Sequence, residues 1–193
     1  MAQPRDIIVI GASLGGLEAL IKLASGLTSD FPAAILIVLH TSLQSPRLLA
    51  RIVGKHTPLS VDYAEQGGNI LPGHVLFASP GLHMVVIDEG FVDLHAGSKV
   101  HNLRPAADVL FRSAAEIYGP RVIGVVLTGG DGDGTDGLRA IKAAGGLCVV
   151  QEPEDAEDPS MPLSAFYGDH PDHVVSLDEM AGLLTRLVKG YPQ

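Results

Sequence analysis

Runs of apolar residues with no polar alternation recur along the chain at positions 7–10, 34–39, 122–127 and 147–150. Each is short and rich in Val, Ile and Leu. Continuous apolar character over four to six residues predicts strands buried on both faces, as in a parallel sheet covered by helices. Between these runs, apolar positions recur at helical spacing and predict helices over about 15–24, 45–53, 106–117 and 137–144. A last amphipathic helix is expected over about 177–188. Strand–helix–strand units in series imply right-handed crossovers and a parallel sheet. Between 58 and 101 the pattern changes. Short strands at 59–63, 74–78, 83–88 and 91–95 are separated by Gly, Pro and Asn, and Glu89-Gly90 sits where a hairpin would turn. The expected fold class is α/β: a doubly wound, mainly parallel sheet with helices on both faces and an antiparallel hairpin excursion. The acidic stretch 152–158 reads as a solvated loop near the edge of the sheet.

Composition narrows the setting. The 193 residues suit one domain spanning 1–193, with 46% apolar residues but only 5% aromatic, so an aliphatic core is expected. A formal charge of −9 with scattered Lys and Arg disfavours nucleic acid as a partner. No apolar run approaches bilayer length, which argues against membrane insertion. The N-terminus leads straight into a strand with no secretory signal, and a single cysteine, Cys148, excludes an intramolecular disulfide framework. Cys148 lies in an apolar run and reads as a small buried hydrophobe. A cytoplasmic protein is expected.

In open parallel sheets, ligands and reacting groups collect outside the carboxyl ends of the strands. That rule selects Ser13 after the first strand, His40 at the end of the second, and the segment 128–136 after a later one. Ser13, in Gly11-Ala12-Ser13-Leu14-Gly15-Gly16, suits a nucleophile raised on a strand-to-helix turn, and it suits a helix N-cap equally well. The backbone N–H groups of Leu14 and Gly15 begin a helix and could receive an oxyanion. His40 interrupts an apolar strand at its last position and could serve as base, although a hydrogen-bonded strand-end histidine is the plainer reading. None of the other seven histidines shows metal-ligand spacing.

The glycine-dense segment Thr128-Gly129-Gly130-Asp131-Gly132-Asp133-Gly134 suggests a metal loop, yet the calcium-binding template fails. With Asp131 at its first position, Asp136 falls where glycine is required and Lys142 where glutamate is required. A carboxylate here could instead orient His40, or the turn could be a solvated cap of the next helix, with Asp136 as the cap. A nucleotide-binding reading is weak, because Gly11, Gly15 and Gly16 do not form G-x-G-x-x-G and His40 stands where an acidic residue is expected.

These motifs resemble the catalytic domain of CheB-type chemotaxis protein-glutamate methylesterases over about residues 7–188. The stretches that carry the resemblance include 11–16, Val38-Leu39-His40, Leu71-Pro72-Gly73-His74-Val75, Leu103-Arg104-Pro105, Asp108-Val109-Leu110-Phe111, Leu127-Thr128-Gly129, Asp133-Gly134 and Met161-Pro162. The resemblance implies Ser13 as nucleophile, His40 as general base, Asp133 as the acid that orients it, and Leu14, Gly15, Gly130 and Arg104 near the oxyanion or substrate. For Arg104 a structural salt bridge is an equal alternative. Met161 and Pro162 read first as a loop anchor, and Asp108 and Phe111 as packing and capping. The implied reaction is hydrolysis of glutamate γ-methyl esters, with deamidation of glutamine in some members. It requires no metal and no cofactor, and its implied substrate is a methylated chemoreceptor cytoplasmic domain. No receiver domain lies within the 193 residues, so the resemblance implies control through a separate receiver domain or a methyltransferase. A non-catalytic binding module in a signalling complex is the alternative function.

Two departures from the family pattern stand out. Leu14 follows the nucleophile where the family often has a hydroxyl residue. The usual Thr-Gly-x-Gly-x-Asp-Gly has Asp131 in place of its second glycine, which sets an added negative charge beside the expected site.

Overall fold

The computed structural model of the chain describes residues 4–190. In order, the elements are β1 (Ile7–Ala12), α1 (Gly16–Ser25), β2 (Ala34–Leu39), α2 (Leu49–Val53), β3 (Ser60–Tyr63), β4 (Gly68–Asn69), β5 (His74–Phe77), β6 (His83–Asp88), β7 (Phe91–His95), α3 (Ala107–Tyr118), β8 (Val122–Val126), α4 (Thr135–Ala143), β9 (Leu147–Gln151), α5 (Ser160–Asp169), β10 (His173–Val175) and α6 (Leu177–Lys189). Seven strands form one sheet in the order β10-β9-β8-β1-β2-β5-β3, and every pairing in it is parallel.

Alternate residues of the central strands enter different layers. Ile8, Ile10 and Ala12 of β1 pack with Leu20 and Leu23 of α1 and with Met180 and Leu184 of α6. Ile7 and Val9 pack with Leu110 and Phe111 of α3 and with Leu138 and Ile141 of α4. Full burial of each such side chain contributes about 1.5–3 kcal/mol, so a polar residue on either face would be costly. This two-sided burial is why these strands carry no alternation.

Three short strands form a second, antiparallel sheet in the order β4-β7-β6. The β6–β7 hairpin turns at Glu89-Gly90 and is pinned to α3. Val86 N–H donates to Ser113 Oγ at 3.0 Å, and Gly90 N–H donates to the Tyr118 hydroxyl at 2.7 Å.

The antiparallel excursion is narrower than the sequence suggests. β3 and β5 belong to the parallel sheet, and the buried run Val75-Leu76-Phe77 is itself the signature of a two-faced strand. The second helix begins at Leu49, not near 45. α5 and β10 were not evident in the apolar pattern. The order of the main sheet sets β1 between β8 and β2, so the carboxyl ends of these three strands lie side by side.

Candidate active site

Two backbone hydrogen bonds extend the parallel ladder past the strand ends. Ser13 N–H donates to the Thr128 carbonyl at 2.9 Å, and His40 N–H donates to the Ala12 carbonyl at 3.0 Å. Both residues are thereby fixed to the sheet, and neither swings on a free loop. The N-cap of α1 is Gly15, in the left-handed region at φ 75°, and no side chain caps this helix. The N-cap reading of Ser13 therefore does not hold, and its hydroxyl is left for other work. Gly15 is required by that backbone conformation and by space, since a Cβ there would lie 2.6 Å from Glu157 Oε2. Among the described residues, the N–H groups of Leu14 and Gly15 make no backbone hydrogen bond outside the helix.

Asp133 is buried at the start of α3. Its carboxylate accepts hydrogen bonds from the backbone N–H groups of Ala107 and Asp108, the latter at 3.0 Å, and from His40 Nε2 at 2.8 Å. The carboxylate thus sits at the positive end of the α3 dipole. The tie is reciprocal: Asp108 Oδ1, on α3, accepts from Gly134 N–H at 3.1 Å and Gly137 N–H at 2.7 Å at the start of α4. Burial pushes the Asp108 carboxyl above its usual range, against the pull of the Gly137 N–H. Asp136, expected as the cap of α4, instead pairs with Arg139 at 2.7 Å and Arg112 at 3.3 Å.

The start of α3 has a further anchor that the sequence did not disclose. His83 is 1% exposed; its Nδ1 accepts from Ala106 N–H at 3.2 Å and its Nε2 donates to the Ser98 carbonyl at 3.0 Å. This pair of bonds needs the neutral ring, and burial holds the His83 pKa below its ordinary 6.5. Because the folded value is depressed, the penalty is absent above pH 6.5 and grows as pH falls below it. His83→Leu leaves the Ala106 N–H without a partner. It is expected to lower stability by about 1–3 kcal/mol in urea titrations and to remove part of the decline between pH 6.5 and 5.

His40 lies between two carboxylates. Asp133 Oδ2 is 2.8 Å from Nε2 and Asp131 Oδ2 is 3.1 Å from Nδ1, and the His40 and Asp133 side chains are 8% and 0% exposed. Burial opposes the imidazolium, but the two acids together outweigh it and push the His40 pKa up to about 9. Nδ1 is within ion-pair reach of Asp131 yet off the hydrogen-bond axis, and it makes no hydrogen bond. Ser13 and His40 therefore share a cleft without sharing a hydrogen bond in this arrangement.

That cleft, of about 390 Å³, is lined by Ser13, Leu14, Gly15 and His40 with Glu18 and Thr41. An adjoining cleft of about 210 Å³ also touches His40 and is lined by Lys99, Asn102 and Arg104. Arg104 makes no salt bridge among the described residues. Its Nη1 donates to the Ala96 and Gly97 carbonyls at 3.1 and 2.8 Å, which holds the guanidinium in the adjoining cleft. Gly130 is exposed beside Asp158, outside both clefts.

The acidic stretch 152–158 is not a free loop. Thr128 Oγ1 donates to the Leu14 carbonyl and accepts from Asp158 N–H, both at 2.9 Å, and Gly129 N–H donates to the Asp158 carbonyl at 3.0 Å. Gln151, 1% exposed, accepts from Thr128 N–H at 2.9 Å and donates to Asp155. Met161 packs beneath this joint, where a Cβ on Gly129 would lie 2.1 Å from its Sδ and 2.8 Å from Ser13 Cβ. Gln151, Thr128 and Met161 thus support the turn that carries Ser13; a lone glutamine at a strand end carries no spacing signature that would reveal it. His101, Asp108 and Asp136 offer ligand atoms within 4.8 Å of one another, but two arginines and two backbone N–H groups already engage these carboxylates.

Comparison with known proteins agrees with this architecture. The family described as CheB methylesterase matches residues 8–184. A relative from Leptospira interrogans is 38% identical over 182 residues, covering 94% of each chain. Proteins named protein-glutamate methylesterase/protein-glutamine glutaminase from Methanosarcina acetivorans and Bdellovibrio bacteriovorus are 36% and 37% identical, and this chain spans 54% and 52% of their lengths. The crystal structure of the Thermotoga maritima CheB methylesterase catalytic domain superposes with a TM-score of 0.92 at 32% identity, covering 97% of this chain and all of that one. By the family match over most of its length, and by a superposition that covers nearly all of it, the chain belongs to the CheB methylesterase family.

Proposed function

We propose that this chain hydrolyses glutamate γ-methyl esters on the cytoplasmic domain of a chemoreceptor, releasing methanol, and deamidates receptor glutamines by the same route, releasing ammonia. The observation that carries this reading is the desolvated His40–Asp133 pair at the strand ends, in the cleft that holds Ser13. Ser13 Oγ attacks the ester carbonyl while its proton passes to His40 Nδ1, with Nε2 held by Asp133. The tetrahedral oxyanion is received by the Leu14 and Gly15 N–H groups. Its collapse returns the proton to the departing methoxide, and water then hydrolyses the glutamyl-serine ester by the same proton path. Arg104, which lines the adjoining cleft, orients the substrate, whereas Gly130 lies outside both clefts; no cofactor takes part. The reading sets the protein in the cytoplasm, with a separate receiver domain or a methyltransferase as regulator.

The alternative, a non-catalytic module in a signalling complex, is favoured by one observation: His40 Nδ1 faces Asp131 and not Ser13. Methanol measured over receptor cytoplasmic domain methylated beforehand distinguishes the two. Release above the no-protein blank supports the esterase. Tight receptor binding with no methanol or ammonia at any pH from 6 to 10 supports the module.

A further inference from the structure

We propose that Asp131 is a positioning residue that holds His40 in a standby orientation, through a carboxylate contact to the ring nitrogen that must serve Ser13. The proposal rests on the Ser13–His40–Asp133 reading above. An imidazole has two nitrogens, and Nε2 is committed to an Asp133 carboxylate that two α3 N–H groups also hold. Nδ1 alone remains to take the serine proton, and Asp131 Oδ2 stands 3.1 Å from it.

The placement of Asp131 is built into the turn. Its Oδ1 accepts from Asp133 N–H at 2.9 Å, which aims the second oxygen at the histidine. The carboxyl is drawn below its ordinary range, because the His40 ring and the Asp133 N–H outweigh the effect of burial. The usual family motif has glycine at this position, so a chain carrying that motif has no side chain there to make the contact. Being off-axis and one-third exposed, the contact is Coulombic and can be released without dismantling the loop. The other charged or titratable groups around His40 are Asp133, fixed as described, Lys99 and Arg104 in the adjoining cleft, Glu18 in the serine cleft, and His101 beside Asp131. None of these reaches Nδ1 as Asp131 does.

Two states follow. With Nδ1 on Asp131, His40 is a clamped imidazolium and Ser13 has no base. With Nδ1 released and deprotonated, the same ring turns its lone pair to Ser13 while Nε2 stays on Asp133. Asp131→Asn separates this role from a structural one, because the amide oxygen still accepts from Asp133 N–H while the charge is gone.

The decisive experiment pairs an NMR titration of the His40 ring, assigned with His40→Gln, with the pH profile of kcat/KM for methanol release. Asp131→Asn is expected to lower the His40 midpoint by about one unit or more, to move the acid limb of kcat/KM by the same amount, and to raise kcat/KM at pH 7 by ~10-fold. Asp131→Gly is expected to show the same shifts. An unmoved midpoint and limb, or a uniform loss of activity at all pH values, overturns the proposal. If the wild type releases no methanol, the triad reading fails, and the ring titration still decides whether Asp131 clamps His40.

Discussion

Replacing Ser13 with alanine is expected to reduce methanol release by on the order of 10⁴-fold or more, because the attacking atom itself is removed. Folding should be untouched. Among the described residues, the hydrogen bond that ties Ser13 to the segment after β8 is made by its backbone N–H, and the serine caps no helix, so the change in stability should stay within about 0.5 kcal/mol. This separates the nucleophile from a structural serine, whose loss at an N-cap typically costs ~1 kcal/mol. Activity that survives the substitution, in protein with an unchanged melting curve, would remove Ser13 from the mechanism. A lowered melting temperature with activity retained would point to a supporting role instead.

Asp133→Asn is expected to damage activity and stability together. An asparagine has one acceptor oxygen, whereas the carboxylate serves His40, Ala107 N–H and Asp108 N–H. The incoming NH₂ group must face at least one of these donors. Loss of a charge-assisted bond in a fully buried site predicts about 2–3 kcal/mol of destabilisation, or roughly 5–10 °C in melting temperature for a chain of this length. In the proposed mechanism Asp133 orients His40, and its loss should lower kcat on the order of 10⁴-fold.

The pH dependence gives an independent check. The folded pKa of His40 is raised, so its contribution to stability is fully present below 6.5 and is lost as pH rises through about 9. In Asp133→Asn that alkaline loss should shrink. Full activity in this variant would show that Asp131, and not Asp133, is the orienting acid.

The strands that build the site were legible because burial on two faces is visible in the sequence as an unbroken apolar run. β1, β2, β8 and β9 all follow this rule. The strand-end principle then selected Ser13 and His40, and the structure sets both on one cleft. The choice of Asp133 over Asp131 came from family resemblance, since a stretch with three carboxylates among glycines has no periodicity to rank them.

α5 is not legible in the sequence for a related reason: Leu163, Phe166 and Tyr167 face solvent while Met161 and Ala165 are buried, so its apolar residues form no single stripe. β3 reads as part of the excursion because, at the sheet edge, its burial is partial and alternating, like that of an antiparallel strand. The support of Ser13 by Gln151 and Thr128 depends on side-chain hydrogen bonds between distant segments. Those are fixed by the fold and leave no local pattern.

The crossed caps of α3 and α4 have a consequence for the field within the cleft. Three helices begin near the carboxyl ends of the central strands, and each would offer its positive end to an anion. Asp133 neutralises the start of α3 and Asp108 that of α4, while no side chain caps α1. The start of α1 thus keeps backbone N–H groups open behind Ser13, with Glu18 in its first turn and Glu157 beside Gly15. A neutral carbonyl oxygen gains from pointing toward the open N–H groups of α1, whereas a free carboxylate product is repelled by the acids around the cleft.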